Sequence, residues 1–138
     1  MQTTLIITGI IVVAFLIFRY LMVSKIKNTP LVADHQKVLT LTDKNFMQLT
    51  RNKVILIDFW AAWCAPCRMM APVLNEVAAG LPDNALVGKV DIEKYQVIAQ
   101  KFKIRNIPTM VLLKNGIEVK RFVGMKSKDF LIQQVLKA

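Results

Sequence analysis

The sequence predicts an α/β domain, a mixed β-sheet flanked by helices, that follows one N-terminal transmembrane helix. Three observations lead to this prediction. Residues 5–23 form an almost uninterrupted apolar run. From Val38 onward, short apolar segments typical of strands alternate with segments of helical spacing. The last two strand segments flank the pair Asn115-Gly116, which is typical of a β-hairpin turn.

The apolar run of residues 5–23 predicts a transmembrane anchor. It departs from plainly apolar side chains only at Thr8, Gly9, Arg19 and Tyr20. As a helix it would span roughly 28 Å, which is close to the hydrocarbon thickness of a bilayer. A buried core helix and a cleaved signal peptide are the alternatives, but no cationic residue precedes the run and no small-residue cleavage pattern follows it. We therefore expect an uncleaved anchor over residues 1–24.

Residues 25–37 are predicted to be a short tether between the anchor and the domain. The segment is polar and basic, is interrupted by Pro30 and has no clear periodicity. The only histidine of the chain, His35, falls in this tether and is expected to be solvated. Residues 38–138 then form the α/β domain.

Five apolar segments of the domain predict strands, over residues 38–41, 53–60, 85–91, 109–113 and 117–123. The second of these stays apolar until Asp58, as expected for a strand that is buried on both faces. Asn115-Gly116 joins the last two strands, so they should pair antiparallel.

Four helices are predicted between and after the strands, over residues 42–50, 67–79, 94–102 and 127–138. Thr42 or Asp43 can cap the first helix and Ser127 the last. Pro72 should kink the second helix, because proline removes a backbone donor. The resulting order, βαβαβα followed by ββα, predicts one mixed sheet with helices on both faces.

The charge balance points to membrane lipid or an acidic protein rather than to nucleic acid. The chain contains 19 Lys and Arg against 9 Asp and Glu, a net charge of +10. The basic residues are scattered, with no arginine-rich tract and no interleaved aromatic residues, so no nucleic-acid partner is expected. Anionic headgroups or an acidic partner explain the surplus more simply.

The only two cysteines, Cys64 and Cys67, lie three positions apart at the start of a helix that follows a buried strand. Thiols at this spacing face the same way and can form a disulfide, and helix N-terminal N–H groups favour a thiolate on the first. The pattern predicts thiol–disulfide exchange. Two cysteines cannot complete a four-thiolate zinc or iron–sulfur site, and His35 lies in the tether, so neither a metal nor a Cys-His protease is indicated. No cofactor is expected beyond the redox-active disulfide itself.

An ordered set of motifs resembles the thioredoxin family over residues 38–138. The matching segments are residues 57–61, 63–68, 71–72, 88–91, 104–109, 114–116 and 123–124. A lone CxxC is weak support, whereas this ordered set is specific. The sequence departs from the commonest family pattern at Ala65, where glycine is usual, and at Asn106.

The resemblance implies a protein-disulfide reductase with defined residue roles. Cys64 would attack the substrate disulfide, and Cys67 would resolve the mixed disulfide. Asp58 would accept the proton of Cys67, with Lys89 near that carboxylate. Pro108 would be the family's cis-proline, in a loop that faces the first cysteine. The residues implied to contact substrate are Trp63, Ala65, Pro66, Ile107, Pro108 and Gly124.

Simpler interpretations of three of these residues remain open from the sequence. Asp58 could be a strand-end carboxylate that caps a turn. Lys89 could be a surface lysine, and Pro108 could be a trans proline at the entry of a strand.

The resemblance also implies partners. These are disulfide-containing protein substrates and a reductase that re-reduces the site, either a thioredoxin reductase or a transmembrane electron carrier. Ala65-Pro66 between the cysteines and Ile107 before Pro108 are similar to the reducing members of the family. The alternative is a non-catalytic thioredoxin-like binding or scaffold subunit of a membrane complex, in contact with other membrane proteins.

The distribution of basic residues around the anchor bears on its orientation. Arg19, Lys25 and Lys27 flank its C-terminal end, and no Lys or Arg precedes it. The positive-inside rule then places the domain in the cytoplasm, on a membrane expected to be the bacterial inner membrane. Many anchored relatives with this domain work on the opposite side, so the charge rule favours the cytoplasm by a modest margin.

Overall fold

The computed structural model describes residues 2–28 and 32–138, which divide into two units. The N-terminal unit is one helix, α1 (Gln2–Asn28). Its described side chains, at residues 6–25, are nearly all exposed, and the segment Ile6–Lys25 has a mean hydropathy of 2.5. It is the one described helix that is long and apolar enough to cross a membrane. A signal sequence would meet the same criteria, so the anchor stays a prediction.

The second unit begins at residue 31 and contains a five-stranded mixed sheet flanked by helices. Its elements in chain order are β1 (Val38–Thr40), α2 (Phe46–Thr50), β2 (Val54–Trp60), α3 (Ala65–Gly80), β3 (Ala85–Asp91), α4 (Gln96–Lys101), β4 (Thr109–Lys114), β5 (Ile117–Val123) and α5 (Lys128–Leu136). The strand order is β1-β3-β2-β4-β5, with β1, β3 and β2 parallel. β4 runs antiparallel to both β2 and β5. The predicted mixed sheet and element order are confirmed.

The hairpin between β4 and β5 and the start of α5 follow the local sequence signals. Asn115 and Gly116 both have positive φ, 55° and 80°, as a tight hairpin turn requires. Ser127 caps α5, where its side chain accepts a hydrogen bond from the Phe130 N–H. Both predictions are confirmed.

Two helices, α2 and α4, begin later than predicted because side chains form turns in front of them. The predicted start of α2 at residue 42 is wrong. Thr42 and Asn45 bond each other, as the Asn45 side chain accepts from the Thr42 N–H and the Thr42 hydroxyl accepts from the Asn45 N–H. These bonds hold residues 42–45 in a turn, so the helix begins at Phe46. Similarly, Asp91 accepts from two backbone N–H groups ahead of α4.

The core lies on both faces of the sheet, and strand β2 contributes to both halves. On one face, Leu56 packs with residues of α3 and α5. On the other face, Ile55 and Ile57 pack in a cluster that includes three phenylalanines. The rings of Phe46 and Phe59 each lie about 5.5 Å from that of Phe102. The prediction that β2 is buried on both faces is confirmed. Helix α3 runs through Pro72 as one helix.

The second half of the predicted tether is hydrogen-bonded to the domain. The side chain of Asn75, in α3, donates to the carbonyl of Ala33 and accepts from the N–H of His35, both at 2.8 Å. Lys37 forms an ion pair with Asp83 at 3.0 Å. His35 is half-buried rather than solvated as expected. Residues 32–37 therefore form a docked segment that belongs to the compact unit.

Gly88, in β3, occupies a site with no room for a side chain. A Cβ there would lie 2.7 Å from Cδ1 of Leu41 and 3.1 Å from Cδ1 of Ile55. We expect Gly88→Ala to lower the free energy of unfolding by about 1–3 kcal/mol, because it overpacks a filled core. Urea unfolding of the full chain in detergent, followed by tryptophan fluorescence, measures this, since both tryptophans lie in the domain. In a Leu41→Ala background the same change should cost less, and an equal cost there would contradict the proposed clash.

Candidate active site

The two cysteines lie at the junction between β2 and α3 and form a disulfide with a Cα–Cα distance of 5.3 Å. After β2 ends, the carbonyl of Ala61 accepts a hydrogen bond from the Cys64 N–H and closes a tight turn. Cys64 is the N-cap of α3, and its sulfur accepts from the Cys67 N–H at 3.2 Å. Pro66 lies in the first helical turn, where a missing N–H costs nothing. The N-terminus of α3 thus favours negative charge on Cys64 when the disulfide is reduced.

A second loop lies against the disulfide. The bond between Ile107 and Pro108 is cis, which confirms that prediction and excludes an ordinary trans proline. Ile107 packs against the cluster formed by Ala61 and the two cysteines. The Pro108 carbonyl accepts a hydrogen bond from the N–H of Gly124, whose φ of 78° suits glycine. The structure therefore brings the predicted residues 107, 108 and 124 together beside the disulfide.

The surface around the cysteines is apolar and accessible, although the sulfur atoms are not. Cys64 and Cys67 are 4% and 3% exposed, whereas Trp63 is 41% exposed. Ala65 and Pro66 are also exposed. A partner that approaches the disulfide would therefore meet Trp63, Ala65 and Pro66 first.

Asp58 is a buried carboxylate in the middle of the sheet. It lies in β2 between Lys89 of β3 and Met110 of β4 in the strand register. It is 1% exposed, and its Oδ1 atom has no hydrogen-bond partner among the described residues. Burial raises the pKa of Asp58 to about 7, with Lys89 opposing and Asp34 adding to the rise. The carboxyl group therefore exchanges its proton near neutral pH, and its burial argues against a turn cap.

Lys89 is buried rather than a surface lysine, and its ammonium group bonds a residue outside the predicted set. Its Nζ atom lies 2.8 Å from Oδ1 of Asp34, in the docked segment, and 4.6 Å from the centroid of the Trp60 ring. Lys89 neighbours Asp58 in the strand register as expected, but its hydrogen bond goes to Asp34. Sequence reasoning missed Asp34. The signal was its position as the only acidic residue among the first 42.

Comparison with known proteins decides the family. The thioredoxin family model matches residues 37–137. The chain belongs to the thioredoxin family. It is 45% identical over 98 residues to a thioredoxin of Alicyclobacillus acidocaldarius, a match that covers 70% of this chain and 93% of that protein. It is 41% identical over 99 residues to a bifunctional thioredoxin reductase/thioredoxin of Mycobacterium leprae, covering 70% of this chain and 22% of that protein.

A solved structure of a mutant thioredoxin from Halobacterium salinarum is also similar, with a TM-score of 0.69 and 31% identity. The match covers 77% of this chain and 94% of that one. The predicted thioredoxin-like fold is confirmed. The protein is a thiol–disulfide oxidoreductase with a CxxC pair, and family membership implies disulfide substrates and re-reduction by a thioredoxin reductase. Among the described residues, no cluster of three or more His, Cys, Asp or Glu could hold a metal ion.

The buried Asp58 should make the thioredoxin domain less stable as the pH rises. The pKa of this carboxyl is about 7 in the folded chain against an ordinary 3.8, so the stability contributed by its neutral form is present below about pH 4 and is lost toward pH 7. Asparagine at position 58 cannot ionise. The difference in free energy of unfolding between Asp58→Asn and the unaltered chain should therefore grow in favour of the variant, by up to about 4 kcal/mol, between these two pH values. Urea unfolding at a series of pH values measures this.

The exposed Asp43 provides the matched control for that comparison. Asp43→Asn should give a profile parallel to that of the unaltered chain. If the Asp58→Asn profile were also parallel, Asp58 would not titrate near neutral pH in the folded state.

Proposed function

We propose that this protein is a membrane-anchored thioredoxin that reduces protein disulfides through Cys64 and Cys67. The observation that supports it most is the cysteine pair at the N-terminus of α3, with the cis-Pro108 loop packed beside it and Asp58 buried in the preceding strand. The described residues then supply every group that the reaction needs: a nucleophile, a resolving thiol, a proton acceptor and a surface for the substrate.

The reaction runs through a mixed disulfide. The Cys64 thiolate attacks one sulfur of the substrate disulfide, forming the mixed disulfide and releasing the first substrate thiolate. Cys67 then loses its proton and attacks the Cys64 sulfur, which forms the Cys64–Cys67 disulfide and releases the second substrate thiolate. Two electrons pass from the enzyme dithiol to the substrate, and the thiolates released take up protons.

Asp58 is the group that we propose to accept the proton of Cys67. A base is most effective when its pKa lies near the working pH, and burial brings the pKa of Asp58 to about 7. Its unpartnered Oδ1 atom is available to take a proton. Lys89, which is close enough to lower the pKa of this carboxyl, stabilises the ionised base.

Substrate binding is assigned to the surface on either side of Cys64. Trp63, Ala65 and Pro66 are exposed on one side, and the loop of residues 107–108 packs on the other together with Gly124. A peptide in extended form can bond backbone groups of such a loop while its side chains contact the apolar surface. Binding of this kind depends little on the sequence of the peptide, which suits an enzyme that acts on many disulfides.

The cysteine assignments predict different outcomes for two serine variants. Cys64→Ser should abolish reduction of insulin disulfides by the full chain in detergent, because no thiolate attacks. Cys67→Ser should accumulate a mixed disulfide with insulin, detectable on non-reducing gels and absent with Cys64→Ser. Unchanged activity in Cys64→Ser would contradict the assignment, and failure of the unaltered chain to reduce insulin would favour the non-catalytic scaffold.

The N-terminal helix is assigned to the membrane, with residues 1–24 as the anchor. Ile6–Lys25 is long and apolar enough to span a bilayer, and the family match begins only at residue 37. Arg19 and Lys25 lie toward its C-terminal end, so the positive-inside rule places the domain in the cytoplasm. There a thioredoxin reductase would supply electrons. On the other side of the membrane a transmembrane electron carrier would be required.

A pair of cysteine reporters tests this orientation in cells with a permeabilised outer envelope. Two variants are made, each in the Cys64→Ser/Cys67→Ser background so that it contains a single cysteine. One has Met125→Cys, at an exposed position in the domain, and the other has Thr3→Cys. An impermeant maleimide should label the reporter at Thr3 in intact cells. It should reach the reporter at Met125 only after the inner membrane is opened. The reverse labelling pattern would make the protein an extracytoplasmic reductase. If neither labelled variant were found in the membrane fraction after centrifugation, the anchor would be contradicted.

A further inference from the structure

We propose that Asp34, in the docked segment, is a positioning residue of the exchange site: it pairs with Lys89 and so keeps the Asp58 carboxylate basic enough to accept the proton of Cys67. This inference rests on the proposed role of Asp58 as the proton acceptor. It assigns the segment ahead of β1 a part in the redox reaction, although Asp34 lies ahead of the family match, which begins at residue 37.

Lys89 lies near the carboxylates of Asp58 and Asp34, and its ammonium group bonds only that of Asp34. Asp58 is its neighbour across the β2–β3 pair and has an unpartnered Oδ1 atom. Asp34 approaches from the docked segment and takes the hydrogen bond at 2.8 Å. The Lys89 side chain is 9% exposed and that of Asp34 is 35% exposed, so the lysine end of this ion pair is buried and the carboxylate end meets water. The hydrogen bond of the Lys89 ammonium therefore goes to Asp34, and the Oδ1 atom of the more deeply buried Asp58 has none.

Asp34 is held in place from both sides. Its neighbours Ala33 and His35 are bonded through their backbones to the two ends of one amide, the side chain of Asn75. Asn75 belongs to α3, the helix whose first turn contains Cys67. These two bonds fix the backbone on either side of Asp34 and so set where its side chain starts, next to Lys89. The position of the segment is thereby linked to the helix that carries the cysteines.

The electrostatics agree with this geometry. The Asp34 carboxylate raises the pKa of Asp58, whereas Lys89 lowers it. The other charged groups beside Lys89 are Asp91 and Lys94, which face the same cleft and pair with each other at 3.7 Å. Tyr95 also lines that cleft, and the neighbour of Asp58 on β4 is the apolar Met110. Loss of Asp34 therefore removes one negative charge and frees the Lys89 ammonium, and both changes favour ionised Asp58.

The test measures the step in which Cys67 resolves a mixed disulfide. The reduced full chain in detergent is mixed with the aromatic disulfide 5,5′-dithiobis(2-nitrobenzoate). Attack by Cys64 releases one coloured thionitrobenzoate thiolate and leaves the other half as a mixed disulfide on Cys64. Attack by Cys67 then releases that second thiolate, so the slower, second colour phase gives the rate of resolution by stopped flow from acidic to alkaline pH, and the first phase is identified from Cys67→Ser, which shows it alone. We expect Asp34→Asn to move the acidic limb of this profile downward by on the order of half a pH unit, as loss of one partly screened charge should. In the disulfide form, the infrared band of protonated Asp58 should disappear at a correspondingly lower pH.

Four further variants make the result specific. Asp34→Glu should retain the original midpoint. Asn75→Ala should shift it in the same direction as Asp34→Asn, because it releases the docked segment. Asp83→Asn removes the other ion pair of the segment, with Lys37, and should leave the midpoint unchanged. Asp58→Asn should abolish the limb.

The outcomes separate this inference from the proposed function. A limb that survives in Asp58→Asn would refute the role of Asp58 itself. A limb that is lost in Asp58→Asn but stays in place in Asp34→Asn would refute only the role of Asp34. An equal shift in Asp83→Asn would also overturn it, since charge removal anywhere on the segment would then suffice.

Discussion

Strand β2 lies between β3 and β4 with residues packed over both of its faces, so any charged side chain on it loses its hydration. Asp58 occupies that position, and its pKa is raised mainly because the carboxylate form is poorly solvated. The same strand leads directly into the tight turn before Cys64. The covering of β2 on both faces therefore gives Asp58 a pKa of about 7 in the same strand that leads to the cysteine pair.

Most of the fold could be predicted because its signals are local. The apolar run of β2, the Asn115-Gly116 turn and the Ser127 cap each depend on neighbouring residues, and the structure contains all three. The start of α2 could not be predicted in this way. Thr42 and Asn45 satisfy each other's backbone groups in a turn, and a helix cap would use the same kinds of residue.

The candidate site was predictable where motifs define it and not where distant pairs do. The positions of the cysteines, the cis proline and the buried Asp58 agree with the resemblance. The Asp34–Lys89 pair joins residues that are 55 positions apart, and the carboxylate lies in a segment without periodicity. No helix or strand rule connects such residues, and only the packed chain shows that they meet. Loss of Asp34 would leave the ammonium group of the buried Lys89 without its ion-pair partner.

The docking of residues 32–37 also affects how a soluble version of this enzyme should be made. A truncated protein that begins at Val38 would start with the first residue of β1, one residue after the family match begins. It would also lack the carboxylate that binds Lys89 and both backbone groups that bind Asn75. Such a shortened protein would retain both cysteines while the buried base beside them had different electrostatic surroundings. A shortened protein that begins at or before Val32 would keep the Asp34 carboxylate and the backbone groups bonded to Asn75.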